Sequence, residues 1–186
     1  PAYEGSPTKS LGMFIYSKLA MLNSKISHLI DLELLNNLSN SQCEAKLEAI
    51  EELLNNDSVD NNLRSLYIYQ KFFLAHKLGQ YSEALNHINQ YLELAEADSS
   101  VLANQGSTRE KLGLLSAALK SYDLALEINP SDEWIWINRG NVLDKLGNTE
   151  AAISSYDKAL ELNPNSKIWF IREIKANGLI WQGERK

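Results

Sequence analysis

The chain has 186 residues, 44% of them hydrophobic, with nine glycines and only four prolines, enough apolar material to bury a substantial core as one elongated domain. Its net charge of −6 argues against nucleic acid as the main ligand, and no stretch reaches the roughly 18 to 20 apolar residues of a membrane span, the nearest being Leu11 to Leu22, interrupted by Lys18. The lone Cys43 forms no internal disulfide, which fits a reducing compartment and a soluble, cytoplasmic protein.

Residues 1–9, with Pro1, Gly5, Ser6 and Pro7, read as a flexible lead or a cloning remnant. Opening on proline rather than methionine is read as a processed or cut start, which leaves an upstream signal or membrane anchor open. From Ser10 to Leu38 the apolar residues Leu11, Ile15, Leu19, Leu22, Ile26 and Leu29 recur at three and four, broadened by Phe14 and Leu32, the stripe of an amphipathic helix. Ser39-Asn40-Ser41 breaks that pattern, and Ser41 with Glu44 predicts a capping box for a second helix, its buried face Cys43, Leu47, Ile50 and Leu54. The stretch 10–58 is therefore expected to be an N-terminal helical hairpin. Acids outnumber bases here: six of them oppose Lys46 and Arg64 over residues 41–64.

Asp60 is the expected N-cap of the next helix. Helices are then predicted over 60–78, 82–96, 99–112, 116–129, 133–146 and 150–162, and a last one over 167–181 carries Ile168, Trp169, Phe170, Ile171 and Ile174. That final helix and its basic tail, 167–186, should cap the open end of what precedes it.

Between 65 and 166 the chain repeats. Leu78-Gly79, Leu112-Gly113 and Leu146-Gly147 stand 34 residues apart, as do Ala84, Ala118 and Ala152. The same interval joins Gly106 to Gly140, Tyr122 to Tyr156, Ala125 to Ala159, Asn129-Pro130 to Asn163-Pro164, and Leu102 to Trp136. A period of that size marks an array of helix pairs. Three units follow, 65–98, 99–132 and 133–166, inside an array spanning 59–166. Gly79, Gly113 and Gly147 read as helix C-caps, and Pro130 and Pro164 as stops. Gly106 and Gly140 imply close approach of another helix, because glycine inside a helix otherwise costs about 1 kcal/mol relative to alanine. In the first unit Phe72 takes the place of those glycines, Tyr91 that of Ala125 and Ala159, and Glu96 that of the prolines; this unit is expected to pack irregularly. The N-terminal hairpin is out of step, since 34 places before Phe72, Gly79 and Ala84 lie Leu38, Ala45 and Ile50. It reads as a hairpin of its own or as an eroded repeat.

Residues Trp136 to Pro164, through Arg139-Gly140, Leu143, Ala152, Tyr156 and Ala159, resemble the signature of the tetratricopeptide repeat (TPR) family, in its bacterial form. The resemblance implies an all-α, right-handed α-solenoid of antiparallel helix pairs, three repeats flanked by the hairpin and the capping helix. It also implies that the first helix of each pair lines a concave groove. Residues two before and one after the signature glycine project into it: Gln70, Asn104, Asn138 and Arg172, then Phe73, Ser107, Asn141 and Lys175, with Tyr69, Ala103, Ile137 and Ile171 one place further back.

A row of side-chain amides carries donors and an acceptor at each step, so it can bond both groups of an extended peptide backbone. Helix packing is the competing role for these amides. Tyr69, Phe73 and Trp134 would add an apolar pocket for a ligand side chain, unless Phe73 and Trp134 pack against the hairpin or a neighbouring repeat. Some members of the family clamp the C-terminal carboxylate of heat-shock chaperones with lysine, asparagine and arginine. In one alignment Tyr69, Phe73, Asn104, Trp134 and Asn138 occupy those places, and one repeat later Ala103, Ser107, Asn138, Ile168 and Arg172 do. Most of the cations are missing, so binding of that carboxylate is not expected.

Signs of catalysis are weak. His28, His76 and His87 are scattered, and no CxxC, HExxH, GxSxG or phosphate-binding glycine loop is present; no enzyme activity, cofactor or metal is expected. The leading reading is a protein–protein interaction adaptor that holds a peptide or helix of a partner and serves the assembly or recruitment of a complex. The alternatives are a self-assembling module using the stripe from Leu11 to Leu32 or the aromatic end at Trp169, Phe170 and Trp181, and the soluble part of a membrane-tethered assembly factor. The wording Asn138-Arg139-Gly140-Asn141 and Ser155 to Leu160 loosely resembles arrays of photosynthetic bacteria that help to build membrane complexes.

Overall fold

Each first helix of the array begins on an aspartate. In a computed structural model, which describes residues 35–55, 59–166 and Glu173, Asp60, Asp98 and Asp132 accept backbone N–H groups at the N-termini of α2 (Asn61–Lys77), α4 (Ser99–Lys111) and α6 (Glu133–Lys145). Each such cap is worth about 1 kcal/mol. These helices end on Leu78, Leu112 and Leu146, followed by Gly79, Gly113 and Gly147 at φ of +76°, +74° and +80°. Two backbone bonds then close each turn: Gly79 N–H to His76 O at 3.1 Å and Gln80 N–H to Ala75 O at 2.9 Å, with the same pair at Gly113 and Gly147. This is the Schellman arrangement, and it sends the chain straight into the second helices, α3 (Tyr81–Leu94), α5 (Leu115–Ile128) and α7 (Thr149–Leu162). Asn129 and Asn163 leave the helical region before Pro130 and Pro164.

The pairs stack in chain order, each second helix packing on the next first helix, and the described residues contain helices and no strand. The result is an all-α solenoid. Its core is a chain of small clusters: Ile68, Tyr69, Phe72, Ala75, Ala84, Ile88 and Tyr91; then Leu102, Ala118, Tyr122, Ala125, Leu126, Ile135 and Val142; then Ile137, Leu143, Ala152, Tyr156 and Ala159. The signature glycines make room for an aromatic ring: a Cβ on Gly106 would lie 2.9 Å from Tyr122 Cε1, and one on Gly140 would press harder still on Tyr156. Tyr122 belongs also to the cluster that continues into Ile135 and Val142 of the next pair.

Two expectations need correction. The helix after residue 39 begins two residues earlier than expected: Ser39, not Ser41, caps α1 (Asn40–Leu54), and its box partner is Gln42, not Glu44. Moreover, the first unit is not splayed by its aromatics; α2 and α3 pack as closely as the two regular pairs. The reason is an exchange of volumes. Where the regular pairs set glycine against tyrosine, Gly106 with Tyr122 and Gly140 with Tyr156, the first sets Phe72 against Ile88, so the ring comes from the first helix instead of the second. Tyr91 fits because its ring meets Tyr69 at 5.1 Å, and Tyr69 meets Phe72 at 5.6 Å.

α1 packs on α2 as α3 packs on α4, and its residues explain why. Counted from each helix start, Cys43, Leu47 and Ile50 match Ala84, Ile88 and Tyr91, and equally Ala118, Tyr122 and Ala125. Cys43 is fully buried, like the three alanines whose place it takes. The offset is 41 residues instead of 34, the excess lying mainly in the connection before α2 and in α2 itself, 17 residues long against 13 for α4 and α6. Lys77 donates to the carbonyls of Leu35, Asn36 and Leu38 at 2.9, 2.6 and 2.7 Å, fixing the turn before α1. The amphipathic stripe Leu11 to Leu32, Arg172 and, apart from Glu173, the closing helix expected at 167–181 lie outside the described residues.

Candidate functional site

Successive first helices, α2, α4 and α6, form one face, and side chains tie them directly. Asn104 Nδ2 on α4 donates to the Tyr69 hydroxyl on α2 at 2.9 Å, and Lys145 on α6 meets Glu110 on α4 at 2.7 Å. Tyr69 is buried, which drives its pKa up to about 12 despite the opposing Asn104 amide.

The residues expected to project from this face divide into two groups. Tyr69 and Gln70 are 6% exposed and Ile137 8%, so they belong to the interior. Phe73 is half-buried and packs both on the first cluster and on the one formed by Leu35, Cys43, Ile50 and Leu74, the packing role weighed for it above. Asn104 spends its amide on Tyr69. Asn141 accepts the Tyr156 hydroxyl at 3.0 Å, and Ser107 lies near enough to the Tyr122 hydroxyl to oppose the rise in its pKa. Burial holds both of these tyrosines well above the usual phenol range. Asn138 is half-buried, and no hydrogen bond of its side chain is recorded among the described residues. Trp134, at the start of α6, is 70% exposed. The surface left available therefore lies on the α4 to α6 half, around Asn138 and Trp134.

A second set of polar residues escaped the sequence reading. Gln105 Nε2 on α4 donates to Asn89 on α3 at 2.8 Å, while its Oε1 accepts from Ser121 on α5 at 2.8 Å. One period later Arg139 on α6 bonds Asp123 on α5 and Ser155 on α7, both at 2.7 Å. Each first helix thus grips the second helix before it and the one after it. The interval of 34 was present in all three positions, but only the serine is retained; the other two change from amides to a guanidinium and a carboxylate, so identity did not reveal the grip. In the first unit Lys71 stands in that register and reaches Glu51 on α1 at 3.0 Å. His87 replaces the serine; its Nδ1 is buried with no hydrogen-bond partner among the described residues, and burial, then Lys71, hold its pKa below the usual value.

Among the described residues no helix is long and apolar enough to cross a membrane, and no three metal-ligating side chains come together. Comparison with known proteins agrees with the geometry. Two tetratricopeptide repeat profiles match, one over residues 74–133 and one over 134–166. The structure resembles the first TPR of Spaghetti (RPAP3), solved bound to the HSP90 peptide SRMEEVD, at a TM-score of 0.60 and 23% identity, covering 67% of this chain and 99% of that one. It resembles YrrB, a TPR protein with an unusual peptide-binding site, at 0.61 and 20%, covering 80% and 75%. An Arabidopsis TPR domain, that of OM64, follows at 0.59 and 21%, covering 64% and 98%. No curated protein matches the chain by sequence.

Proposed function

The chain belongs to the tetratricopeptide repeat family, whose members typically serve as interaction modules and not as enzymes, and from that premise we propose that it is an adaptor holding a segment of a partner protein on the face of α2, α4 and α6, in the assembly or recruitment of a complex. The observation that carries this reading is Asn138: a half-buried amide with no recorded side-chain bond among the described residues, beside the exposed indole of Trp134. An amide so placed offers a donor and an acceptor to a backbone, and an aromatic at the rim supplies an anchor. Asn104 and Tyr69 act behind it as a brace between α2 and α4. Peptide binding by YrrB and by the first TPR of Spaghetti supports the reading in kind. The chaperone carboxylate is not the ligand proposed, because Tyr69, Trp134 and Asn138 stand where its cations would be needed.

Peptides selected from a displayed random library should bind the wild type and lose about tenfold in affinity with Asn138→Ala or Trp134→Ala, while the far-ultraviolet spectrum and melting stay unchanged. Selected peptides that ignore both substitutions would refute the assignment. Self-assembly is a second reading, drawn from Leu94, Ile128 and Leu162, which stand one period apart and are 42%, 53% and 43% exposed. Sedimentation at high concentration separates the two, a strict monomer removing the second.

A further inference from the structure

Three lysines close the three first helices. Lys77, Lys111 and Lys145 are the last residues of α2, α4 and α6, one period apart. Two of them have partners: Lys77 donates to three carbonyls of the turn before α1, and Lys145 reaches back one helix to Glu110 at 2.7 Å. The equivalent reach for Lys111 ends at His76, which stands on α2 where Glu110 stands on α4. The carboxylate of the rung is missing.

Neighbouring charges do not replace it. Glu110 is engaged by Lys145 and by the Tyr122 hydroxyl at 3.3 Å. Arg109 donates to Ala117 O and to Ser121, and Lys77 is held by its carbonyls. His76 is packed between rings, 5.8 Å from Phe72 and 5.2 Å from Tyr81. Burial, then Lys111, holds its pKa below the usual histidine value, and an imidazole, neutral or protonated, gives Lys111 no counter-charge. Lys111 itself is exposed, and no hydrogen bond or ion pair is recorded for it among the described residues. Tyr81 also lines a shallow depression with Gly79, Gln80, Ser82, Glu83 and Leu112, the residue next to Lys111.

We propose that the end of this face between α2 and α4 takes an acidic side chain of the bound partner segment, whose carboxylate completes the rung with Lys111 that His76 leaves open. The proposal rests on the reading of this face as peptide-binding and adds to it the chemistry of the partner: at least one aspartate or glutamate placed to reach the end of α4. A carboxylate on an ammonium is among the stronger polar contacts a peptide can make, and on a chain of net charge −6 such a local cation selects against acidic segments that lack the right register. The site differs from the chaperone clamp considered above, since Lys111 is not among the positions that clamp uses.

The test uses two labelled peptides, one of alternating glutamate and alanine and its glutamine counterpart, in fluorescence anisotropy at matched ionic strength. The glutamate peptide should bind at least about fivefold more tightly, Lys111→Gln should remove that preference, and added salt should erode it. His76→Glu supplies the rung internally and should abolish the preference likewise, while leaving binding of the glutamine peptide unchanged. Equal affinity of the two peptides, or a preference that survives Lys111→Gln, overturns the proposal and leaves the Asn138 reading standing. Failure of both peptides to bind overturns the proposal, and peptides selected without dependence on Asn138 or Trp134 overturn the broader reading.

Discussion

The first helix pair and the two that follow solve one packing problem with opposite assignments. In α4–α5 and α6–α7 the first helix gives a glycine and the second a tyrosine that covers it; in α2–α3 the first gives Phe72 and the second Ile88. All three pairs close equally well. A repeat position is thus defined by the summed volume across a pair, and a mismatch at one residue means little until its partner is read.

The sharpest way to break this equivalence is Phe72→Gly, which removes a ring only 3% exposed and is expected to cost about 3 to 5 kcal/mol in urea unfolding. Adding Ile88→Tyr should restore a large part of that loss by installing the regular assignment. A double variant no more stable than the single one would show that the volumes do not exchange.

Smaller effects separate the regular pairs from each other. Gly140→Ala is expected to destabilise by about 1 to 3 kcal/mol, net of better helix propensity, and more than Gly106→Ala, because its Cβ would meet the tyrosine ring more closely. Gly147→Ala, which has open space but φ of +80°, should cost only about 1 kcal/mol.

The smallest effect concerns charge. Lys111→Gln should leave stability nearly unchanged and raise the pKa of His76 in an NMR titration, since Lys111 is the second cause, after burial, holding it down. A histidine with a lowered folded pKa binds fewer protons folded than unfolded, so its contribution is present above the ordinary value of about 6.5 and is lost as pH falls toward the lowered one. The same sign applies to His87.

Much of the solenoid was legible because its determinants are backbone-level: Asp60 as a cap, a glycine at positive φ after each first helix and a proline stopping two of the second helices, the glycines and prolines recurring at 34 residues. What was missed shares a different property. The Gln105 and Arg139 grips keep position but change chemistry, and α1 keeps chemistry but changes interval, its Cys43, Leu47 and Ile50 displaced by 41 residues. The candidate site was legible in its positions and less so in its state, because whether an amide such as Asn104 is free or spent depends on a tyrosine 35 residues away. No local pattern encodes that.

Cys43 gives the array a clock. As the chain's one thiol, fully buried where α3, α5 and α7 carry alanine, it meets a soluble reagent only when α1 lifts from α2. The labelling rate then counts openings of α1 from α2. Its ratio to the global unfolding rate measures how far the grip of one helix pair on the next carries along the chain.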